Sequence, residues 1–253
     1  MQLKITNLKI SIDKKCIIKK FDANLKTGDI LAISGMNGEG KTTIIKSIMN
    51  HFSLQTSGSI MLDKNELTKL DTYQISQLGV FYIPQNSPEL NGIQTLSFLR
   101  NINKNRNNLD FTSLYKDVET AIKKLSLPHD ILSRDLNVGF SGGQKKKVEL
   151  LQAIVFKPNV LLIDEIDSGV DTDSLNTIAD FINKEKNKTI TIIISHNTNF
   201  LNKIKPNKVC IINDGIISKA GNYDLIKTIE KNGFTQFIKN KKIERTSCLL
   251  KKK

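Results

Sequence analysis

The stretch GMNGEGKTTIIKS, residues 35–47, constrains this chain more than any other. It fits G-x-x-x-x-G-K-[ST], with Gly35, Gly40, Lys41 and Thr42 in the four fixed places. Side chains in such a loop would hold an anion at a distance. Glycines let successive backbone N–H groups converge on it, and the helix that follows points its positive end there. The apolar run DILAISG before the loop and KTTIIKSIM after it supply the strand and the helix. Gly35, Asn37, Gly38, Gly40, Lys41, Thr42 and Thr43 are therefore predicted to cradle nucleotide phosphates. Lys41 reaches the β- and γ-phosphates as a point charge, and the Thr42 hydroxyl holds Mg²⁺.

Two more β-branched runs, NVLLIDE and TITIIISH, read as buried strands, and each ends in residues with chemistry. An open α/β sheet binds ligands beyond the carboxyl ends of its parallel strands. Asp164 and Glu165 could be two solvated carboxylates at a strand end. Beside a phosphate loop they supply what it lacks: Asp164 a carboxylate near Mg²⁺, Glu165 a general base for an attacking water. Ser195-His196 closes the third strand at the same edge, which favours a γ-phosphate contact for His196. Residues 86–157 have a different texture, polar and helix-like, with NINKNRNNLD as a solvated loop or a linker between helices. The expected organisation is an α/β core from 1–85 and 158–253 with a helical insertion at 86–157.

The net charge of +13 raises the question of a polyanionic partner. Without an Arg-rich stripe, stacking aromatics or a nucleic-acid fold signature, it reads as lysine-heavy composition from an AT-rich genome, with no nucleic acid bound. Apolar runs fall well short of the ~20 residues of a membrane helix, so no direct membrane insertion is expected. MQLKITNLKI alternates like a strand and has no signal-peptide core. Cys16, Cys210 and Cys248 are too scattered for zinc or a disulfide framework, which suits a reducing compartment. The basic tail KKIERTSCLLKKK reads as frayed.

VGFSGGQKKKVELLQA, residues 138–153, narrows the reading. Its Ser141-Gly142-Gly143-Gln144 resembles the signature of ABC-type ATPases, although SGG alone could be a helix-capping loop. Gln85 in FYIPQNS resembles the Q-loop glutamine that senses Mg²⁺ and the γ-phosphate, and DSGVD, ending at Asp171, resembles the D-loop. The resemblance implies a P-loop ABC ATPase core with an inserted α-helical subdomain and an antiparallel β N-terminal part. It implies ATP as substrate, Mg²⁺ as cofactor and a transient head-to-tail homodimer. Glu165, His196, Lys41 and Gln85 would form the catalytic set, and Thr42, Gln85 and Asp164 would hold the metal. Ser141, Gly142, Gly143 and Asp171 would complete the nucleotide site, with Ser141 and Gly143 acting in trans.

RDLNVGFSGGQKKKVELLQA, LIDEIDSGVDTDSL and NGIQTLSFLR resemble one branch, the SufC ATPases of SUF iron–sulfur cluster assembly. Their signature region commonly reads NVGFSGGEKKRNE, and they lack the proline many transporter ATPases place after the glutamate. Gln144 and Lys147 depart from that pattern. This implies SufB-like and SufD-like scaffold partners, contacted around residues 85–99, and a cytoplasmic location, or a plastid stroma if organelle-encoded. A transporter ATPase with a separate permease is the alternative. The early loop SIDKKCII carries no aromatic to stack on adenine, which predicts weaker nucleotide affinity or looser base selectivity. Glu39, unusual inside a phosphate loop, is expected to point to solvent.

Overall fold

The computed structural model describes residues 1–105, 110–234 and 237. The chain opens with β1 (Gln2–Ile12), β2 (Lys15–Lys26) and β3 (Ile30–Ser34), then α1 (Lys41–Ile48). Next come β4 (Gln55–Leu62), β5 (Asn65–Glu66), α2 (Thr72–Gln77) and β6 (Val80–Ile83). An excursion follows through β7 (Leu90–Gln94), α3 (Thr95–Asn105), α4 (Phe111–Leu125), β8 (Asp135–Leu136) and α5 (Gly142–Phe156). The chain returns as β9 (Val160–Asp164), α6 (Thr172–Glu185), β10 (Ile190–Ile194) and α7 (Thr198–Ile204). It continues through β11 (Lys208–Asn213), β12 (Ile216–Gly221) and α8 (Asp224–Asn232).

Ten strands share one sheet in the order β5-β4-β1-β2-β12-β11-β3-β10-β9-β6. From β11 to β6 the strands are parallel. β1, β2, β4 and β5 form an antiparallel flank, which meets β12 at the single pairing Ile216–Lys20. This is the α/β architecture expected of a phosphate-loop cassette with an antiparallel N-terminal part. β6 and β11 were not among the strands singled out from sequence. β6 leads straight into Gln85 of FYIPQNS, which drew attention for its glutamine and not as a strand end.

Every residue of β3, β9 and β10 is buried, because both faces of the parallel sheet are covered. Alternate residues enter different cores. Ile30, Ala32, Leu161, Ile163 and Ile193 pack with Leu99, Leu114, Val118, Val148 and Leu151 from the helices. Leu31, Ile33, Val160, Leu162, Ile192 and Ile194 pack with Ile44 and Ile45 of α1 and with Leu3 and Ile10 of the antiparallel flank. Truncating any of these isoleucines to alanine costs about 2–5 kcal/mol.

The first half of the asparagine-rich stretch, residues 101–105, continues α3 and is not a loop. Leu99 is buried in the core and Ile102 packs against it, so the period is carried by residues preceding and within the run. Residues 106–109 of that stretch, the basic tail and Cys248 lie outside the described residues.

The register of the parallel strands positions the site. Ile33 pairs with Ile194, Ile194 with Asp164, and Ile83 with Ile163. β3, β10, β9 and β6 therefore end at one height, and the segments leaving them emerge side by side.

Candidate functional site

The first of these exits is the phosphate loop. Gly35 has φ +142°, and a Cβ on it would sit 2.3 Å from the Ile212 carbonyl oxygen of β11, a contact no side chain tolerates. Gly40 has φ +85°, and its Cβ would press on Ile17 and Ile18 of β2 at 2.7 and 2.9 Å. Glycine is thus required both by the left-handed backbone and by close packing. Gly40 also leads into α1 without a side-chain cap. Asp71, Asp110, Asp171 and Asn197 cap α2, α4, α6 and α7 with their side chains. The first-turn N–H groups of α1 have no carbonyl ahead of them in the helix, and so they form a donor surface for an anion.

Lys41 is buried, and its Nζ donates to the Gly35 and Met36 carbonyls at 2.9 and 2.7 Å. Burial pushes its ammonium down from the usual lysine value, while the charges of Glu165, Glu39 and Asp164 pull it back up. Glu39 is not left free in solvent. It is half-buried, and its Oε2 accepts from the Asp214 backbone N–H in the β11–β12 turn. That tie anchors the loop from its outer side.

Asp164, at the end of β9, is 1% exposed. Thr42 Oγ1 donates to its Oδ1 at 3.1 Å, and Tyr82 OH donates to its Oδ2 at 3.2 Å. Burial raises its pKa, and those two hydrogen bonds partly offset the rise. A buried carboxylate whose oxygen converges with a hydroxyl is a hard-oxygen donor set that fits Mg²⁺. Tyr82 is pushed up by burial and by the Asp164 charge, so it stays a neutral donor.

Glu165 follows at once, at φ +47°. Left-handed backbone at a non-glycine residue is uncommon and costs on the order of 1–3 kcal/mol. Its N–H is held by the Ile194 carbonyl at 3.0 Å. Gln85 Nε2 donates to Glu165 Oε2 at 2.7 Å, and His196 Nε2 lies 3.4 Å from Glu165 Oε1, outside hydrogen-bond alignment. Burial and the Lys41 charge lower the His196 pKa; Glu165 and Asp167 pull it back. Glu165, Gln85 and His196 thus meet, although they are far apart in sequence.

Asp167 in DSGVD, Tyr82 in FYIPQNS and Ile12 and Ile17 in SIDKKCII stood in stretches the sequence singled out, but no role was read for them individually. Asp167 accepts from Ser195 Oγ at 3.0 Å, and burial raises its pKa. Ser34 Oγ in turn donates to the Ser195 carbonyl at 2.9 Å, which locks the ends of β3 and β10 together. A carboxylate three residues beyond Asp164, in a run ending in DEID, was the available signal. A cleft of about 400 Å³ joins these elements, lined by Asn37, Gly38, Gly40, Lys41, Thr42, Thr43, Gln85 and Glu165. Ile12 and Ile17 of the β1–β2 hairpin form its apolar end.

The signature residues sit elsewhere. Ser141 is exposed and caps α5 in a capping box with Gln144: Ser141 Oγ accepts from Gln144 N–H at 3.3 Å, and Gln144 Oε1 accepts from Ser141 N–H at 3.0 Å. The hydroxyl keeps its own proton for another acceptor. A Cβ on Gly143 would lie 3.5 Å from Asp171 Oδ2, so the α5 N-terminus abuts the start of α6. Asp171 accepts from Ser174 N–H and Oγ at 2.9 and 2.8 Å, bonds that hold its carboxyl below the usual range.

Among the described residues no helix is long and apolar enough to cross a membrane. The profile of the ABC transporter family matches residues 18–168. An Antithamnion sp. protein named "Probable ATP-dependent transporter ycf16" is 36% identical over 240 residues, covering 92% of this chain and 96% of that one. A solved "ATP binding subunit of ABC transporter" aligns at TM-score 0.79 and 20% identity, over 91% of this chain and 94% of its own. The dimeric cassette MJ0796, in a post-hydrolysis state bound to ADP and Pi, aligns at TM-score 0.74 and 17% identity, over 87% and 98%. At such identities these two likenesses speak for the fold, while the family profile and the Antithamnion relative speak for kinship. The chain belongs to the ABC transporter family and is one of its ATPase cassettes.

Proposed function

We propose that this ABC ATPase serves a SUF-type complex, in which ATP-driven pairing of two copies reshapes a SufB- and SufD-like scaffold for iron–sulfur cluster assembly. The α1 N-terminus and Lys41 hold the β- and γ-phosphates. Thr42, Asp164 and Gln85 would hold Mg²⁺, which offsets phosphate charge when bound. Glu165 takes the proton of the attacking water as general base, and Gln85 orients it. His196 contacts the γ-phosphate from the neighbouring strand end. Ser141, Gly142 and Gly143, at a helix N-terminus whose first two residues are exposed, serve the nucleotide of the second copy, with Asp171 beside them. Segment 86–157 acts as the helical subdomain between core 1–85 and core 158–253.

The observation that carries the ATPase chemistry is the meeting of Gln85, His196 and Glu165 at the rim of the phosphate cleft. The assignment to SUF rests on the signature and D-loop stretches. Ile166, where many transporter ATPases carry proline, is fully buried in the helical core. A partner surface is available beyond Gln85: Asn91, Gly92, Ile93 and Gln94 of β7 are exposed. The Antithamnion relative, named an ATP-dependent transporter, favours a second reading, a transporter ATPase with its own permease.

Gentle affinity purification from the native host, with partners identified by mass spectrometry, separates the two. Soluble SufB- or SufD-like proteins are expected, in a cytoplasmic or plastid-stromal extract. Recovery of a multi-span permease without a soluble scaffold would replace the SUF reading with transport.

A further inference from the structure

Residues 84–89 leave β6, carry Gln85 to Glu165, and cross to the excursion. They are held from one side by α5 and the turn before it. Lys146 Nζ donates to the Pro84 carbonyl at 3.1 Å and also to the Gln85 carbonyl. Asn137 Nδ2 donates to the Pro88 carbonyl at 2.9 Å, and Lys145 Nζ pairs with Glu89 Oε1 at 2.6 Å. The backbone that presents Gln85 is therefore gripped by the helix that begins at Ser141.

Lys146 is the central element of this grip. It is 6% exposed, and a buried ammonium without partners is costly, so its bonds to the two carbonyls are not readily exchanged for water. One turn further along α5 lies Glu149, 4% exposed, faced by Lys146, Ser87, Asn137 and Gln152. Burial pushes the Glu149 carboxyl up, while Ser87, the Lys146 charge, Asn137 and Gln152 pull it back. Burial pushes the Lys146 ammonium down, and Glu149 is first among the charges that oppose this. The two side chains belong to one buried polar cluster beneath segment 84–89. At its outer rim, Gln85 Nε2 reaches Glu165.

We propose that Lys146 is a positioning residue, which conveys the placement of the α5 N-terminus through the carbonyls of Pro84 and Gln85 to the Gln85–Glu165 hydrogen bond. A displacement of α5 then moves Gln85 relative to the base. The signature end of the helix and the hydrolytic end of the cleft are linked inside a single chain. The inference rests on the ATPase reading above.

The test is steady-state ATP hydrolysis and ATP binding by the full-length chain, with melting measured alongside. Lys146→Met is expected to lower kcat by about tenfold or more, since misplacement of a catalytic group by ~1 Å can cost 10²-fold, while ATP affinity stays within about threefold. Lys146→Arg, which keeps the charge and donors, is expected to recover much of the rate. The decisive readout is a double-mutant cycle with Gln85→Ala. If Lys146 acts through Gln85, replacing it has little further effect once Gln85 is truncated. Parental kcat in folded Lys146→Met, or independent effects that multiply in the double variant, overturns the proposal. Should Lys146→Met fail to fold, the same cycle is run with Lys146→Gln, which retains a donor, and is read in the same way. A parental chain that binds ATP but does not hydrolyse it would overturn the ATPase reading itself.

Discussion

The two walls of the nucleotide cleft are built in opposite ways. The wall from Gly35 to Thr43 comes from one unbroken stretch of chain, and its donors are backbone N–H groups, one lysine and threonine hydroxyls. The facing wall presents Gln85 and Glu165, backed by Asp164, Asp167 and His196 from the ends of three strands, and its chemistry lies in side chains. The first wall suits binding, because its geometry is prescribed locally by glycine dihedrals and the start of a helix. The second suits turnover, because its groups are held by strand register and by one another. Binding and hydrolysis should therefore separate cleanly under mutation.

The largest expected effect tests that separation directly. Glu165→Gln should lower kcat by at least ~100-fold, the usual scale for losing a general base, while ATP still binds. Lys41→Met should do the converse and abolish tight ATP binding, as measured by titration with a fluorescent nucleotide. Hydrolysis at the parental rate in Glu165→Gln would remove Glu165 from the role of base.

A smaller effect follows from the charge of the second wall. His196 is held below its ordinary value of 6.5 by burial and by Lys41. Between that lowered value and 6.5 the unfolded chain binds more protons than the folded one. This contribution to stability is complete above about pH 6.5 and is lost as pH falls through the folded value. Asp167, raised from 3.8 by burial, has the opposite sign: its contribution is present below 3.8 and is lost as pH rises through the raised value. His196→Asn should therefore flatten the acid-side decline in Tm below pH 6.5, by at most about 2 °C over the first pH unit. Melting curves with identical pH dependence in parent and variant would rule this out.

The smallest effect belongs to the apolar end of the cleft. Ile12 and Ile17 offer aliphatic contact and no ring. Ile17→Tyr should lower the KM for ATP by about fivefold with kcat unchanged, within the range that base–aromatic stacking supplies. An unaltered KM would mean that the base does not rest on this hairpin.

What the chain announced in its sequence was whatever is local. The glycines, the lysine and the hydroxyls of residues 35–47 need only their own stretch and a flanking strand and helix. The apolar runs of β3, β9 and β10 identify themselves because strands buried on both faces carry no polar alternation. The tertiary structure alone decided the relations. Glu39 finds the Asp214 N–H across the loop, and Tyr82 finds Asp164 across neighbouring strands. Lys146, one lysine in KKK, proves to be the one whose ammonium holds the carbonyls of segment 84–89. The reason is physical. A backbone cradle depends on dihedrals that neighbouring residue types prescribe, whereas the partners of a buried side chain depend on register and on which helix covers it. In this protein that register is set by Ile33, Ile194 and Asp164 in adjacent strands, which bring distant segments to one edge of the sheet.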